Sequence, residues 1–484
     1  MQVFRFFGSF IFIIGVLFFP SCKSHKQSIL TKKYSPIELK QDVEVISNVM
    51  LKMHLVIGIY NSKTYYHNLF SNLQNQITDS LTEKQFRFKL KIALDELHCG
   101  HTEIVASKQT FREINRLKLS YSPFVFLPVR EKIFLLTSLN KKQDSLFKKG
   151  AEITHINGLK TDSILRYCKL FISGDGYNQT AKDHYLQLGF NSYYPAIFNR
   201  PDSFKVDYKI GTDIRQIKYP AVALKSFPAL PIGKSNDSLF KQFKRAKIKY
   251  RYLGNKKNLL VKIEKFSHRG YNRAYRKLFK RTKRDGTENL IIDLRNNGGG
   301  SLANTYRLLS YLMKTKETQT LRTTIKTYPY KQYTKGAVWF KFTRMVYKFI
   351  GEKQSRNDTD NFVYTIKPTK KRHYDGKIIV LINGGSFSAS CLLSAYLKKN
   401  GAIFIGEETG GTQEGSNAGI TPYYKLPNTH LRIRVPAFRI VHDVDTTITG
   451  RGIMPDYPIE YTFKDITSKR DLELMKVKEL LIIQ

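Results

Sequence analysis

Residues Val380–Ala395, VLINGGSFSASCLLSA, decide how this chain folds. An apolar run at Ile378–Ile382 reads as a buried strand. It gives way to a turn on Asn383, Gly384 and Gly385, then to Ser386, Ser388 and Ser390, and finally to a helix. A strand that ends in a Gly-rich turn at a helix N-terminus offers backbone N–H groups and a positive dipole end. A serine there can hold its hydroxyl beside donors suited to an oxyanion. The geometry is that of a nucleophile elbow, although the G-x-S-x-G spelling is absent. An ordinary Ser-capped helix after a core strand is the alternative that this stretch alone leaves open.

Outward from this turn the pattern is α/β. Strands are expected at Leu259–Ile263, Leu290–Asp293 and Ala402–Gly406, with helices at Tyr271–Arg284 and Leu302–Leu312. Such alternation predicts a partly parallel sheet covered by helices. Two further Gly-rich turns follow strand ends, at Asn296–Gly300 and at Gly406–Thr412. Asp293 and Arg295 enter the first of these as a charged pair, read as structural. The triple glycine lets amides converge on an anion. It is neither a Walker A loop nor a dinucleotide fingerprint, because the spacings fail. Lys314–Tyr374, which holds the single tryptophan, Trp339, reads as a long irregular insertion of the kind used as lids or binding loops.

Upstream, Val43–Leu97 has helical apolar spacing and closes on ELHCGHTEI, residues 96–104, with Gly100 as a helix stop. From Leu117 to Ala223 short β-rich runs appear: Phe124–Val129, Lys132–Thr137, Phe204–Ile210 and Ile214–Tyr219. Among them lies KGAEITHING, residues 149–158, before a helix-like Ser163–Phe171. Lys225–Arg251 reads as a basic connector.

The whole-chain numbers narrow the function classes. With 484 residues the chain has room for roughly two to four domains. Its 41% hydrophobic and 25% charged residues are those of a globular protein. The formal charge is +42, but Lys and Arg are scattered rather than clustered, which favours a solvated basic surface over a nucleic-acid footprint. Arg5, the apolar run Phe6–Phe19 and then Pro20, Ser21 and Cys22 have the form of a secretory signal. The run is short for a spanning helix. Of four cysteines, Cys99, Cys168 and Cys391 remain beyond it, too few and too scattered for a disulfide framework, although a Cys99–Cys391 pairing is conceivable. His98 and His101 have the spacing of a zinc pair but no third ligand, so no metal and no cofactor are expected.

Taken in order, DLRNNGGG (293–300), NGGSFSAS (383–390), GEETGG (406–411) and GRGIMPD (450–456) resemble the tail-specific, or C-terminal processing, family of serine peptidases. The tricorn core and the interphotoreceptor retinoid-binding protein repeats are its relatives. The resemblance runs over most of Leu259–Ile459 and implies a crotonase-like α/β domain. It assigns the nucleophile to Ser388 and the oxyanion hole to the amide of Ala389 with one amide of Gly298 or Gly299. Gly410 and Gly411 fall at substrate-binding positions. The family's bacterial branch takes its base from a lysine after the loop at Thr409–Gly415, and none stands there. The tricorn-like branch uses a histidine, and ELHCGHTEI resembles that segment with His101 at the catalytic position. That branch also has a serine where this chain has Gly100, and a glutamate where it has Thr447–Arg451 without a carboxylate. Asp443, Asp445, Glu103 and Glu407 are the candidates for orienting His101. KGAEITHING resembles a PDZ core, and the leader end resembles a bacterial lipobox with Cys22 as the lipidated residue.

The expected organisation is a signal peptide over 1–21, a tether over 22–40 and a helical module over 41–116. A PDZ-like module over 117–224, a connector over 225–257, a serine peptidase domain over 258–470 and a C-terminal helix over 471–484 follow. The expected function is a serine endopeptidase acting on peptide or protein substrates, lipid-anchored in a bacterial cell envelope, periplasm-facing or at the outer membrane. The alternative is a weak or inactive relative that binds peptides or apolar ligands.

Overall fold

The strand Lys377–Ile382 lies inside a seven-stranded sheet in the computed structural model, which describes residues 28–139, 148–198, 200–230, 239–266, 269–323, 352–356, 359–446 and 448–482. Asn255–Ile263, Asn289–Asp293, Lys377–Ile382, Ile403–Gly406 and Tyr457–Pro458 run parallel. Ile248–Leu253 and Lys241–Gln242 add an antiparallel edge. Buried on both faces, the central strands alternate between two cores. Leu290, Ile292, Val380 and Ile382 point to the larger one, which is closed by the helices Tyr271–Arg284, Leu302–Leu312 and Ala389–Lys399. Ile291, Ile379 and Leu381 point to the smaller one, where Val477 of the helix Leu472–Leu480 packs. The expected connector is therefore partly sheet: residues 241–253 belong to the edge of this domain.

The expected irregular insertion is also partly regular. Glu317–Thr323, Glu352–Arg356 and Thr359–Ile366 join Phe438–His442 and Gly415–Ala418 in a five-stranded antiparallel sheet. In ETQTLRT, Glu317, Gln319, Leu321 and Thr323 form the buried face and alternate with Thr318, Thr320 and Arg322. Trp339 lies outside the described residues.

The N-terminal helices Pro36–Met53, Lys63–Asn75 and Glu83–Asp95 form as the apolar spacing predicts, the first opened by a Ser35–Glu38 capping box. They do not close a core alone. Tyr424, Leu426, Leu431, Ile433 and Val435, which lie late in the sequence, complete it. Glu103–Val105 pairs with Arg432–Arg434, so the segment that carries His101 is stitched to the C-terminal part of the chain by a β-ladder.

Between these parts, Asp213–Pro220, Ser203–Ile210, Glu152–Ile156, Lys132–Ser138 and Phe124–Val129 form a sheet in that order. Asn157 and Gly158 make its tight turn with φ of 52° and 81°. Two helices pack on it, the expected one at Thr161–Leu170 and an unforeseen one at Thr180–Ile197. The second escaped sequence reading because Gly189 and Pro195 interrupt its pattern and aromatic residues lie around it. Cys99, Cys168 and Cys391 are buried free thiols. No helix among the described residues is long and apolar enough to cross a membrane.

Candidate active site

The strand-to-helix turn separates the three serines by role. Ser386 is fully buried; its hydroxyl donates to the Leu294 carbonyl (2.8 Å) and accepts from the Asn383 amide (3.1 Å). Ser390, equally buried, donates to the Asn297 carbonyl (2.8 Å). Both hydroxyls thus clasp the serine turn to the glycine turn. Ser388, between them, stands at the helix N-cap position with φ 57° and ψ −117° and makes no capping hydrogen bond. A non-glycine residue at positive φ is strained, and such strain persists only where the surroundings impose it. Here the two clasps impose it.

The glycine turn is built from inside. Asn297 is fully buried and spans it, donating through Nδ2 to the Ile263 carbonyl (2.7 Å) and accepting the Gly299 amide at Oδ1 (2.9 Å). Its carbonyl also accepts the Phe387 amide at 3.0 Å. Gly299 has φ 93°, and a Cβ there would lie 2.7 Å from the Phe387 carbonyl oxygen and 2.8 Å from the Ala389 nitrogen. Only glycine lets the two turns approach so closely. The Gly299 amide is spent on Asn297, whereas those of Gly298 and Ala389 have no acceptor among the described residues. The structural reading of Asp293 and Arg295 agrees with the geometry. Arg295 binds Asp293 through two nitrogens, at 3.0 and 2.9 Å, and also reaches Asp471 and Glu473.

The third part arrives from the N-terminal segment. His101 and Ser388 line one cavity of about 840 Å³, together with Gly298, Gly300 and Arg434. No hydrogen bond joins the two side chains. The His101 ring stacks on Phe387, the neighbour of Ser388, with centroids 4.7 Å apart. Gly100, which stands where the tricorn pattern has a serine, lies under the same ring: a Cβ there would sit 2.8 Å from Phe387 Cζ. His98 does not line this cavity. It packs against Tyr60 and Tyr177, and its carbonyl accepts the Gly176 amide. Burial pushes the His101 imidazole down to about 3, with Arg434 adding to the effect, so the ring is neutral near pH 7.

A carboxylate that sequence reading passed over faces this histidine. Asp175 Oδ2 lies 3.9 Å from His101 Nδ1, and Oδ1 accepts the Gly100 amide at 2.6 Å. Both facing atoms are buried and have no hydrogen-bond partner among the described residues. Burial pushes the Asp175 carboxyl up to about 7. The four carboxylates suggested by the sequence lie elsewhere. Glu103 is exposed on its strand, and Asp443 accepts from Thr318 at 2.5 Å. Asp445 offers its carbonyl to Gln413, and Glu407 lines a separate cavity of about 1000 Å³. Nothing local marked Asp175: in SGDGYN, residues 173–178, it reads as a turn residue between two glycines.

Gly410 and Gly411, expected to bind substrate, are buried outside the wall of this cavity. The Gly410 amide donates to the Ser386 carbonyl, and a Cβ on Gly411 would lie 2.9 Å from Cys391 Sγ. Their close packing supports the serine turn from behind. Cys22 lies outside the described residues.

Residues 257–459 match peptidase family S41. Among solved structures, mature CPAF complexed with lactacystin superposes with a TM-score of 0.63 at 14% identity, covering 92% of this chain and 98% of that one. The CPAF s499a mutant gives a TM-score of 0.61 at 14% identity, covering 91% and 96%. A putative peptidase from Parabacteroides merdae gives 0.48 at 17% identity, covering 93% and 97%. At 14% identity the likeness to CPAF is one of fold. No curated protein sequence matches.

Proposed function

We propose that this chain, whose residues 257–459 carry a peptidase family S41 domain, is a serine endopeptidase with Ser388 as nucleophile and His101 as base. One observation carries the reading: a strained serine and a largely buried, neutral histidine line the same cavity beside two amides with no acceptor among the described residues. In the proposed reaction Ser388 Oγ attacks the substrate carbonyl while His101 Nε2 takes its proton. The Gly298 and Ala389 amides receive the oxyanion. His101 then returns the proton to the departing amine, and water, activated in the same way, releases the acyl group.

The decisive experiment is labelling by a serine-directed fluorophosphonate. Wild type is expected to label and Ser388→Ala to take no label; equal labelling of both overturns the assignment. A wild-type protein that never labels but binds peptides favours the second reading, a non-catalytic relative. The absent hydrogen bond between His101 and Ser388 is the observation on that side. As further parts of the proposal, the module over 117–224 is PDZ-like and binds peptide along a sheet edge. Cys22 is lipidated and holds the protein in a bacterial envelope. Cys22→Ser should move the protein from the membrane fraction to the soluble one, and unchanged fractionation would count against the anchor.

A further inference from the structure

We infer that Asp175 is the positioning residue of this site: its carboxylate receives the Nδ1 proton of His101 and so presents a bare Nε2 to Ser388. The inference rests on the reading of Ser388 and His101 just given.

Two orphaned atoms carry it. His101 Nδ1 and Asp175 Oδ2 are each buried without a partner, and they face each other at 3.9 Å. A buried polar atom left unpaired is destabilising, so two of them in reach of each other favour contact. A shift of about 1 Å brings them within hydrogen-bond range. Everything else around the pair is fixed. The Gly100 amide holds Oδ1, and the loop is pinned where Gly176 N donates to His98 O and Tyr177 N to Gly450 O. Phe387 stacks on a face of the imidazole.

The charge environment suits the role. Around Asp175, Arg439 favours the carboxylate and Glu414 opposes it, while the Cys99 and Cys391 thiols and the Tyr60 and Tyr185 phenols lie close by. Arg434 bears on His101 from the cavity side. Glu414 Oε1 accepts from Tyr60 and from the Gly450 amide, and although its Oε2 is buried without a partner among the described residues, no hydrogen bond or ion pair joins it to His101. An ionised Asp175 stabilises the imidazolium that forms as Ser388 attacks, and a protonated one does not. Because burial lifts this carboxyl to about 7, the rate should rise with pH through that value.

The test is the rate of fluorophosphonate labelling between about pH 5 and 9, with thermal unfolding of each variant alongside. Asp175→Asn keeps an oxygen for the Gly100 amide but removes the charge. It should label on the order of 10²-fold more slowly than wild type, against the roughly 10⁴-fold effect of the same swap in a tightly bonded triad. It should also lose the inflection near pH 7 while unfolding no earlier than wild type. Asp175→Glu should restore both part of the rate and the inflection. Wild-type rate and pH profile in Asp175→Asn overturn the inference alone. Equal losses in Asn and Glu with the profile unchanged reduce Asp175 to packing and also overturn it. A wild-type protein that takes no label overturns the reading of Ser388, and this inference with it.

Discussion

Ser388 differs from its neighbours by its backbone before its chemistry. At φ 57° it turns its hydroxyl toward a cavity, while Ser386 and Ser390 turn theirs into the protein. The sequence singled out Ser388 only through the family resemblance, because three serines at alternate positions are chemically alike. His101 and His98 pose the same problem, and the fold separates them: one ring lies over Phe387 beside Ser388, the other between two tyrosines. His101→Ala should slow fluorophosphonate labelling by about 10²–10⁴-fold, the usual worth of a positioned base. His98→Ala should leave it within a few-fold, as far as Tyr60 and Tyr177 keep their packing. The reverse order of effects, read by the same assay, would move the base to His98. The pH argument has a stability counterpart. The Asp175 carboxyl is raised by burial, so the native state holds its proton up to about pH 7, whereas the unfolded chain releases it near 3.9. Stability therefore declines as pH rises through that window. Asp175→Asn should melt no lower than wild type at pH 8, as a thermal scan would show.

Among the elements, the closest contact is the one between the glycine and serine turns. Gly299 touches the backbone of Phe387 and Ala389, and φ 93° closes that position to other residues. Gly299→Ala should displace the Ala389 amide and cost on the order of 10² in labelling rate, the scale of one lost oxyanion donor. Circular dichroism and the melting curve of the same variant show whether the fold survives, and unchanged labelling would deny the turn its role. Most of this was legible locally. Strand, glycines and helix follow one another within short stretches, and their periods change where the structure changes. The helix Thr180–Ile197 and the strands inside the supposed insertion were not. A helix with an internal proline depends on its packing, here on the sheet core through Leu186, Phe190 and Tyr194. Thr-rich strands without flanking turns read as loop until a second sheet claims them.

Across the whole molecule, Arg295 ties the glycine turn to the C-terminal helix. It is largely buried and gathers Asp293, Asp471 and Glu473 around one guanidinium. Burial works to raise the Asp471 carboxyl, but the hydrogen bonds and charge of Arg295 prevail and hold it below its ordinary value. This part of the stability is therefore present above the unfolded value of about 3.9 and is lost as pH falls below it. Arg295→Met should cost about 3–5 kcal/mol by leaving buried carboxylates unpaired. A denaturant midpoint measured on full-length protein checks this, and an unchanged midpoint would mean that the network contributes nothing. The N-terminal helices are bound at the same scale. They finish their core on residues 424–435, and the Glu103–Val105 ladder carries His101 to a serine 287 positions later in the sequence, 388 less 101.

The amino-acid sequence alone determined that a parallel α/β domain is present and in what order its glycine turns and serine helix come. Its resemblance to a peptidase family, spread over four ordered motifs and ELHCGHTEI, named Ser388 and His101 as candidates, while the strands, turns and helix were read locally. These features are local: apolar period, glycine-permitted turns and helix starts are written within about ten residues of one another. Tertiary structure alone decided that the Gly299 amide is engaged while the Gly298 amide has no acceptor among the described residues, that Gly410 and Gly411 stand behind the site, and that Asp175 faces His101. Each of these depends on which distant groups share a buried space. A hydrogen bond satisfied or left open across 74 residues, 175 less 101, has no trace in composition or spacing.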